Sequence, residues 1–282
     1  MPAGTLYVVA TPIGNLGDLS PRAAEVLRGV RAVAAEDTRR TRQLYAHLGA
    51  PAPDLVSLPA FDERGRLGPL VARLVAGDDV ALCTDAGTPA ISDPGQRLVD
   101  AAWEAGARVV PVPGPCAAVA ALSASGLAGD RFFVQGFLPR KGAGRAEALA
   151  LLARLPAAVV LYEAGNRTGD TLADLAASLG PARRAAVGRE LTKLHEELAR
   201  GTLEALAERF REGARGEVTI VVEAGEAATA PEEAFEPLDD ELRRRVAAGE
   251  APSALAREVA RARGLRRADV YDALQRLKRG SA

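Results

Sequence analysis

The stretch from Thr84 to Gly95 combines side chains that could do chemistry with a backbone that would hold them still. Asp85, Thr88, Ser92 and Asp93 supply carboxylate and hydroxyl groups, and two glycines and two prolines lie among them. Glycine and proline favour defined turns, so a loop built from them is rigid. The stretch follows an apolar run of strand length and precedes a helical pattern, which makes it a strand-to-helix loop. Because open α/β sheets bind ligands at the carboxyl ends of their strands, we predict a small-molecule site here. A turn without any ligand is the alternative.

A second rigid turn and several polar clusters follow other predicted strands. The turn, Pro113–Ala117, opens a helix with the sequence Pro-Gly-Pro-Cys-Ala. Each polar cluster alone fits an exposed loop with salt bridges, which stabilise a fold little. Their shared position after the strands of two predicted domains instead indicates one common cleft. The clusters are Glu36–Arg39, Lys141, Glu163 with Asn166 and Arg167, and Arg189–Lys193 with Glu196 and Glu197.

Several common catalytic patterns are absent from the sequence. It contains no Gly-x-x-x-x-Gly-Lys-Ser/Thr phosphate loop, no Gly-x-Ser-x-Gly nucleophile turn and no His-Glu-x-x-His motif. The segment Gly14–Gly17 after the first strand lacks the full dinucleotide-binding pattern. His47 and His195 each stand alone, which is typical of surface or packing histidines. Metal chemistry, NAD binding and triad hydrolysis therefore have little support, and we predict no bound metal.

The composition indicates a cytoplasmic chain without a membrane segment. Of 282 residues, 48% are hydrophobic, which is enough for sizeable cores, and the formal net charge is −1. A nucleic-acid contact would therefore have to come from a local basic patch. Cys83 and Cys116 show neither metal spacing nor a secretory context, so we expect reduced thiols. No apolar run approaches the ~20 residues that a membrane helix needs.

Apolar runs of strand length alternate with helical patterns along most of the chain, which predicts an α/β fold. Residues 1–114 contain five such strands and should form a parallel sheet covered by helices, and residues 115–226 contain a second set with four. Residues 227–237 are rich in Ala, Glu and Pro and are predicted to be a linker. Residues 238–282 are predicted to be a helical tail that resembles a helix-turn-helix unit. The tail carries 11 Arg and Lys against 7 Asp and Glu, so it is either a solvated basic face or a nucleic-acid contact surface.

Six ordered blocks of this sequence are similar to blocks of a known family. They are Thr11–Asp18, Glu36–Arg39, Asp85–Gly95, Pro113–Pro115, Gly136–Lys141 and Arg189–Lys193. With these blocks the chain resembles the ribosomal RNA small subunit methyltransferase I family, within the tetrapyrrole-methylase-like class of S-adenosylmethionine enzymes. The tetrapyrrole enzymes share the loops but lack the Glu-Asp-Thr-Arg and Gly-Phe-Leu-Pro blocks.

The resemblance implies two αβα domains of the tetrapyrrole-methylase type, a small C-terminal helical subdomain and a homodimer. It also implies S-adenosylmethionine as the methyl donor in the cleft between the two domains. The implied acceptor is the 2′-oxygen of a cytidine in the decoding region of 16S rRNA, in free rRNA or in the small ribosomal subunit. The donor-binding residues that the motifs imply are Pro12, Ile13, Asp85, Gly87, Thr88, Cys116, Ala117 and Tyr162.

The chain departs from the family pattern at two places. Cys116 stands where the family usually has Ser after Gly-Pro, and a thiol is a weaker hydrogen-bond partner than a hydroxyl. The usual Glu-Ser-Pro-His-Arg block reads Glu-Ala-Gly-Asn-Arg here, over residues 163–167. Asn166 therefore replaces a histidine, and no histidine can act as a base at that position.

Methyl transfer to a ribose requires an aligned 2′-hydroxyl and a group that accepts its proton, because the sulfonium of the donor already activates the methyl group. The candidate bases are Glu163, Glu190 and Asp37. The residues expected to pair with phosphates are Arg39, Arg140, Lys141, Arg167, Arg189 and Lys193. Two other functions stay open at this point: methylation of a tetrapyrrole, and a non-catalytic donor-binding or ribosome-associated module, which the altered 163–167 block would suit.

Overall fold

The computed structural model describes residues 2–59, 62–225, 237–263 and 266–280. The chain divides into two compact units, Met1–Ala227 and Ala228–Ala282. The predicted linker over residues 227–237 lies outside the described residues except for Pro237.

A parallel five-stranded sheet forms the first half of the larger unit. Its strands are β1 (Thr5–Val9), β2 (Ala32–Ala35), β3 (Asp54–Ser57), β4 (Val80–Cys83) and β5 (Arg108–Val112), in the spatial order β3-β2-β4-β1-β5. The helices between them are α1 (Pro21–Gly29), α2 (Thr38–His47), α3 (Glu63–Val75) and α4 (Gln96–Glu104). All residues of the central strand β4 are buried, and alternate ones pack into apolar clusters on opposite faces of the sheet. This explains the continuous apolar run in its sequence, because a parallel sheet has helices on both faces.

A mixed five-stranded sheet forms the second half of the larger unit. Its strands are β6 (Phe132–Phe137), β7 (Ala158–Ala164), β8 (Arg184–Arg189), β9 (Glu197–Thr202) and β10 (Glu217–Val222), in the order β6-β7-β10-β8-β9. Only β6 and β7 pair in parallel, and the other pairs are antiparallel. The sequence pattern predicts four of these strands and misses β9. This strand lies at the sheet edge with only Ala199 buried, so it has no apolar run to reveal it.

Four helices accompany the second sheet: α5 (Ala117–Ser125), α6 (Ala143–Arg154), α7 (Thr168–Leu179) and α8 (Leu203–Arg209). The helix α5 begins directly after the rigid turn that follows β5, and its buried face packs against β7, β8 and β10. The 84–95 loop follows β4 at the carboxyl end of the first sheet. Parallel strands therefore bring the 84–95 loop and the start of α5 to the same edge of the first sheet.

The smaller unit contains the helices α9 (Leu238–Ala247), α10 (Pro252–Arg263) and α11 (Arg267–Gly280), which share an apolar cluster of their own. The predicted helical tail is confirmed, although the turn predicted at Gly264 lies outside the described residues. Arg245 pairs with Glu250 over 2.6 Å and with Glu258 over 3.1 Å, so carboxylates of the tail itself hold this cation. No helix within the described ranges is both long and apolar enough to cross a bilayer.

Candidate functional site

A cavity of about 470 Å³ is lined by residues from both halves of the larger unit, and we call it the cleft. Ligand pockets commonly measure about 300–1,000 Å³, so the cleft has the size of a small-molecule site. The first half of the unit contributes Ile13, Glu36, Arg40, Asp85–Thr88 and Ile91–Asp93. The second half contributes Cys116, Ala117, Phe137, Tyr162–Ala164, Glu190, Leu191, Lys193 and Gly216–Thr219.

The 84–95 loop is fastened at its centre to two neighbouring loops. Gly87 and Thr11 exchange two backbone hydrogen bonds, of 2.9 and 3.0 Å. The Thr88 hydroxyl donates to the carbonyl oxygen of Pro115 over 3.1 Å. Gly87 has a φ of +83°, a conformation that glycine adopts without strain. These contacts give the loop a fixed course along the cleft.

Backbone strain is concentrated in two loops that line the cleft. In the described part of the chain, four residues other than glycine have a positive φ, between +49° and +67°. Two lie in the 84–95 loop and two in the loop after β8. They are Ala90, Ser92, Glu190 and Thr192. Such conformations cost on the order of 1–3 kcal/mol each and cluster at functional sites, where the surrounding structure holds them.

The loop after β8 closes one side of the cleft through a network of hydrogen bonds. Lys193 Nζ donates to Glu190 Oε1 over 2.9 Å and to Glu217 Oε2 over 3.2 Å. The backbone N–H of Asn15, which follows β1, donates to the Thr192 hydroxyl over 3.0 Å. Hydrogen bonding to Lys193 holds the pKa of Glu190 below its usual range. The two halves of the larger unit are thus joined directly at the rim of the cleft.

A second network holds Asp85 at the start of the 84–95 loop. Its backbone N–H donates to Glu36 Oε2 over 3.1 Å, and its Oδ1 accepts from the backbone N–H of Asp37 over 3.1 Å. Arg40 Nε lies 3.3 Å from the other carboxylate oxygen. Burial raises the pKa of Asp85 in spite of this cation. These contacts therefore join the 84–95 loop, which follows β4, to the loop after β2 and the start of α2.

Asp93 differs from the other acids of the cleft because it has no partner among the described residues. It forms neither a hydrogen bond nor an ion pair with any residue that the structure describes. Burial, together with the nearby charges of Glu36, Asp85 and Glu217, raises the pKa of Asp93 to about 6. A carboxyl group with such a pKa can take up or release a proton near neutral pH.

Glu163, a predicted base, is held by its own surroundings. It is only 2% exposed. Its Oε2 accepts from the Thr171 hydroxyl over 2.6 Å, and its Oε1 accepts from the backbone N–H of Ala164 over 2.9 Å. Arg167 Nη1 lies 3.3 Å from Oε1. This carboxylate therefore ties the end of β7 to α7, and its oxygens are occupied.

Asp37, another predicted base, caps the N-terminus of α2 beside the cleft and is not among its lining residues. Its Oδ1 accepts from the backbone N–H of Arg39 over 2.8 Å, and the Arg39 guanidinium donates to both carboxylate oxygens. These hydrogen bonds lower the pKa of Asp37 to about 2. A carboxylate with such a pKa is a weak base.

The structure places almost all predicted donor-binding residues around the cleft. Ile13, Asp85, Gly87, Thr88, Cys116, Ala117 and Tyr162 line it. Pro12 instead lines an adjoining cavity of about 330 Å³, which shares Ile13, Arg40, Asp85, Ala86, Lys193 and Glu217 with the cleft. Cys116 makes no side-chain hydrogen bond to the first turn of α5. Burial, followed by the neighbouring Cys116 thiol, raises the pKa of Tyr162 to about 12, so this phenol stays protonated.

The structure separates the predicted phosphate-binding cations into two groups. Four pair with carboxylates of the chain: Arg39, Arg167, Arg189 and Lys193. Of the six, Lys193 alone lines the cleft. Arg140 and Lys141 are exposed between β6 and α6, and neither forms an ion pair with a described residue. These two cations are therefore the ones most open to an external phosphate.

The sequence patterns assign no donor, base or phosphate role to four charged residues that line the cleft: Glu36, Arg40, Asp93 and Glu217. Two of them, Glu36 and Asp93, lie inside blocks that carry the family resemblance, which is a signal that could have found them. Glu217 begins β10 and has no comparable signal. Within the described ranges, no group of three or more His, Cys, Asp or Glu side chains could hold a metal ion.

Comparisons with known proteins agree with this geometry. The family described as Tetrapyrrole (Corrin/Porphyrin) Methylases matches residues 5–207. A protein of Synechocystis sp. named Ribosomal RNA small subunit methyltransferase I is 45% identical over 269 residues, which cover 95% of this chain and 96% of the relative. A protein of the same name from Pseudomonas aeruginosa is 53% identical over 196 residues, covering 70% of this chain and 69% of the relative.

Solved structures show the same fold at low sequence identity. Uroporphyrin-III C-methyl transferase from Thermus thermophilus, in complex with S-adenyl homocysteine, matches with a TM-score of 0.57 and 23% identity, over 79% of this chain and 98% of that one. Cobalt precorrin-4 methyltransferase matches with a TM-score of 0.61 and 18% identity, over 78% and 94%. The predicted fold class is confirmed, and S-adenosylmethionine is the methyl donor of this class of enzymes. Because a relative of that name matches over 95% of this chain at 45% identity, the chain belongs to the ribosomal RNA small subunit methyltransferase I family, on the tetrapyrrole-methylase fold.

Proposed function

We propose that this protein transfers a methyl group from S-adenosylmethionine to the 2′-oxygen of a cytidine in the decoding region of 16S rRNA. The name shared by the relatives supports ribosomal RNA as the substrate. The nucleotide and the ribose position are those that the sequence resemblance implies. The observation that carries the placement of the reaction is the convergence of two strained loops on one cleft.

The charges and shape of the cleft fit the donor. When bound, S-adenosylmethionine supplies a methyl group that its sulfonium has already activated. Acidic side chains suit its sulfonium and ammonium groups, and the N-terminal end of α5 at Ala117 suits its carboxylate. The rings of Phe137 and Tyr162, with centroids 5.8 Å apart, offer an aromatic wall for a flat base. The residues that would hold the donor are Ile13, Asp85, Gly87, Thr88, Cys116, Ala117 and Tyr162, with Pro12 on the adjoining wall.

The chain's own residues orient the acceptor and exclude water rather than activate the methyl group. Arg140 and Lys141 are best placed to contact RNA phosphates, because no carboxylate of the described chain competes for them. Arg189 has Glu197 as a partner at 2.5 Å and would have to leave it first. The basic tail is a second candidate RNA-binding surface. From the family resemblance we also infer that the enzyme is a homodimer. A ribosomal substrate would place it in the cytoplasm.

The altered 163–167 block does not remove a group from the cleft. Asn166, which replaces the usual histidine, is exposed in a 3-10 helix (Gly165–Arg167) and is not among the residues that line the cleft. This position supports an active enzyme over a non-catalytic donor-binding module.

A labelling experiment tests the proposal. The purified protein is incubated with methyl-labelled S-adenosylmethionine and either small ribosomal subunits or protein-free 16S rRNA. We expect label on one cytidine, in a dinucleotide that resists alkaline hydrolysis, because a 2′-O-methyl group blocks attack on the neighbouring phosphate. Label on a base, or donor binding without turnover on either substrate, would contradict the proposal.

A pair of surface variants tests the RNA contact in the same assay. Lys141→Ala should raise the RNA concentration needed for half-maximal rate, because it removes an exposed cation between β6 and α6 that pairs with no described carboxylate. Arg108→Ala is the matched control, since Arg108 begins β5 at the opposite end of the strands and is also exposed. Equal behaviour of the two variants would exclude Lys141 from the RNA contact.

A further inference from the structure

We propose that Asp93 is the catalytic base that accepts the proton of the ribose 2′-hydroxyl. This inference rests on the proposed function and adds a residue that none of the sequence motifs assigns to catalysis. It follows from the partners of the acidic side chains in the cleft and from the backbone on both sides of Asp93.

Asp93 is the one acid among the six lining the cleft that has no partner within the described residues. The other five accept hydrogen bonds or pair with cations: Glu36, Asp85, Glu163, Glu190 and Glu217. Protonating an engaged carboxylate weakens the hydrogen bonds and ion pairs that its ionised form makes, and a buried donor left alone costs free energy. Asp93 can accept a proton without breaking any such contact.

The backbone on both sides of Asp93 is held in place, which restricts the positions that its carboxylate can reach. Ser92 has a φ of +66° and packs on Gly136 of β6 so closely that a Cβ added there would lie 2.9 Å from the Ser92 hydroxyl oxygen. On the other side, the backbone N–H of Gly95 donates to Glu63 Oε1 over 3.2 Å. A base held in advance loses less freedom when the substrate arrives.

The surroundings of Asp93 also suit a base that works near neutral pH. Its pKa of about 6 arises first from burial and then from repulsion by neighbouring carboxylates. The titratable and charged groups that face it are Glu36 after β2, Asp85 in the same loop, Tyr162 of β7 and Glu217 of β10, with Arg40 and Lys193 elsewhere on the cleft wall. Both cations are paired with other carboxylates: Arg40 with Asp85, and Lys193 with Glu190 and Glu217. Asp93 is therefore ionised at neutral pH and yet more basic than an ordinary aspartate.

The proposed step balances without another reactant. The ribose 2′-oxygen forms a bond to the methyl carbon with a lone pair, while its proton moves to a carboxylate oxygen of Asp93. The bond between the methyl carbon and sulfur breaks, and its electron pair remains on sulfur, which becomes a neutral thioether. Asp93 then releases the proton to water.

Asp93→Asn tests this role because it preserves size and removes the basic oxygen. We expect kcat to fall by about 10²-fold or more, the usual contribution of a general base, while calorimetry shows an unchanged donor Kd. In the wild-type enzyme kcat/KM should rise with pH through about 6, since the ionised carboxylate is the active form. This rise of kcat/KM with pH should be absent from the Asp93→Asn variant. The matched control, Asp100→Asn, changes an exposed acid of α4 outside the cleft and should leave all three quantities unchanged.

A readout independent of turnover is the titration of the Asp93 carboxyl carbon by NMR in the donor-free full-length protein. A signal that titrates near pH 6 and is absent from Asp93→Asn supports the inference, and titration near pH 4 overturns it. Unchanged kcat in a folded Asp93→Asn protein also overturns it, and a weakened donor Kd with unchanged kcat would make Asp93 a donor-binding group instead. Asp93→Glu, which keeps a carboxylate, should recover part of the lost rate. A wild-type protein that methylates no rRNA would refute the proposed function itself, which distinguishes that failure from a failure of Asp93 alone.

Discussion

Replacing Thr171 by valine should weaken the larger unit, because this hydroxyl satisfies a buried charge. It donates to Glu163 Oε2 over 2.6 Å and accepts from Arg145 Nη2 over 3.0 Å. Thr171 and Glu163 are 1% and 2% exposed. Valine has nearly the same shape but leaves Glu163 Oε2 without a donor among the described residues.

The expected loss of unfolding free energy is about 3 kcal/mol. A buried polar atom left without its partner costs about 1–3 kcal/mol, and a charged one costs more. Arg145 adds little to the loss, since it keeps Asp174 Oδ2 at 2.7 Å and the Pro139 carbonyl at 3.0 Å. Thr171→Ser is the control that keeps the hydroxyl and loses one buried methyl group, for about 1 kcal/mol.

Urea unfolding of the full-length variants, followed by circular dichroism, measures this difference of about 2 kcal/mol. The folded Thr171→Val protein should also keep a methyl-transfer rate close to that of Thr171→Ser, because Glu163 has a structural role. Equal stability of the two variants would refute the assignment of Glu163 Oε2 to Thr171. It would also return Glu163 to the list of possible bases.

Two further predictions concern surface charge. Arg140→Ala combined with Lys141→Ala should weaken rRNA binding and reduce the magnitude of the slope of log affinity against log salt by about one to two, because two phosphate contacts are lost. Filter binding over a range of salt concentrations measures this slope. An unchanged slope would exclude both side chains from the phosphate contacts. Arg39→Ala should return the pKa of Asp37 from about 2 toward its ordinary 3.8, as NMR titration would show. Ionised Asp37 stabilises the folded chain above pH 3.8, and this contribution is lost as the pH falls through about 2. A pKa that stays near 2 in the variant would mean that Arg39 is not its cause.

The sequence predicts well those features that depend on neighbouring residues. The apolar run at Val80–Cys83, and the glycines and prolines after it, predict a buried strand followed by a rigid loop, and both are present. The strand β9 is missed because an edge strand needs only one buried face and therefore has a weak pattern. The antiparallel pairs of the second sheet are also beyond the pattern, since the direction of pairing is decided by contacts distant in sequence.

The candidate site also depends on contacts between residues that are distant in sequence, so the sequence predicts it only in part. Motif matching collects the residues around the cleft, but it cannot tell which charges are already paired. Lys193 meets Glu217, 24 positions away, and Asp85 meets Glu36, 49 positions away. Only the folded chain shows that these groups are engaged, while Asp93 has no partner in the part of the chain that the structure describes. The roles of individual acids and bases therefore needed the structure.

The measurement that tests the central claim most directly is mass spectrometry of 16S rRNA from cells that lack this gene, read at the cytidines of the decoding region. We predict that one 2′-O-methyl mark is lost and that the wild-type gene restores it. An Asp85→Ala gene should not restore it, because Asp85 holds the loop that lines the cleft. A mark that stays intact in the cells without the gene would contradict the proposed reaction.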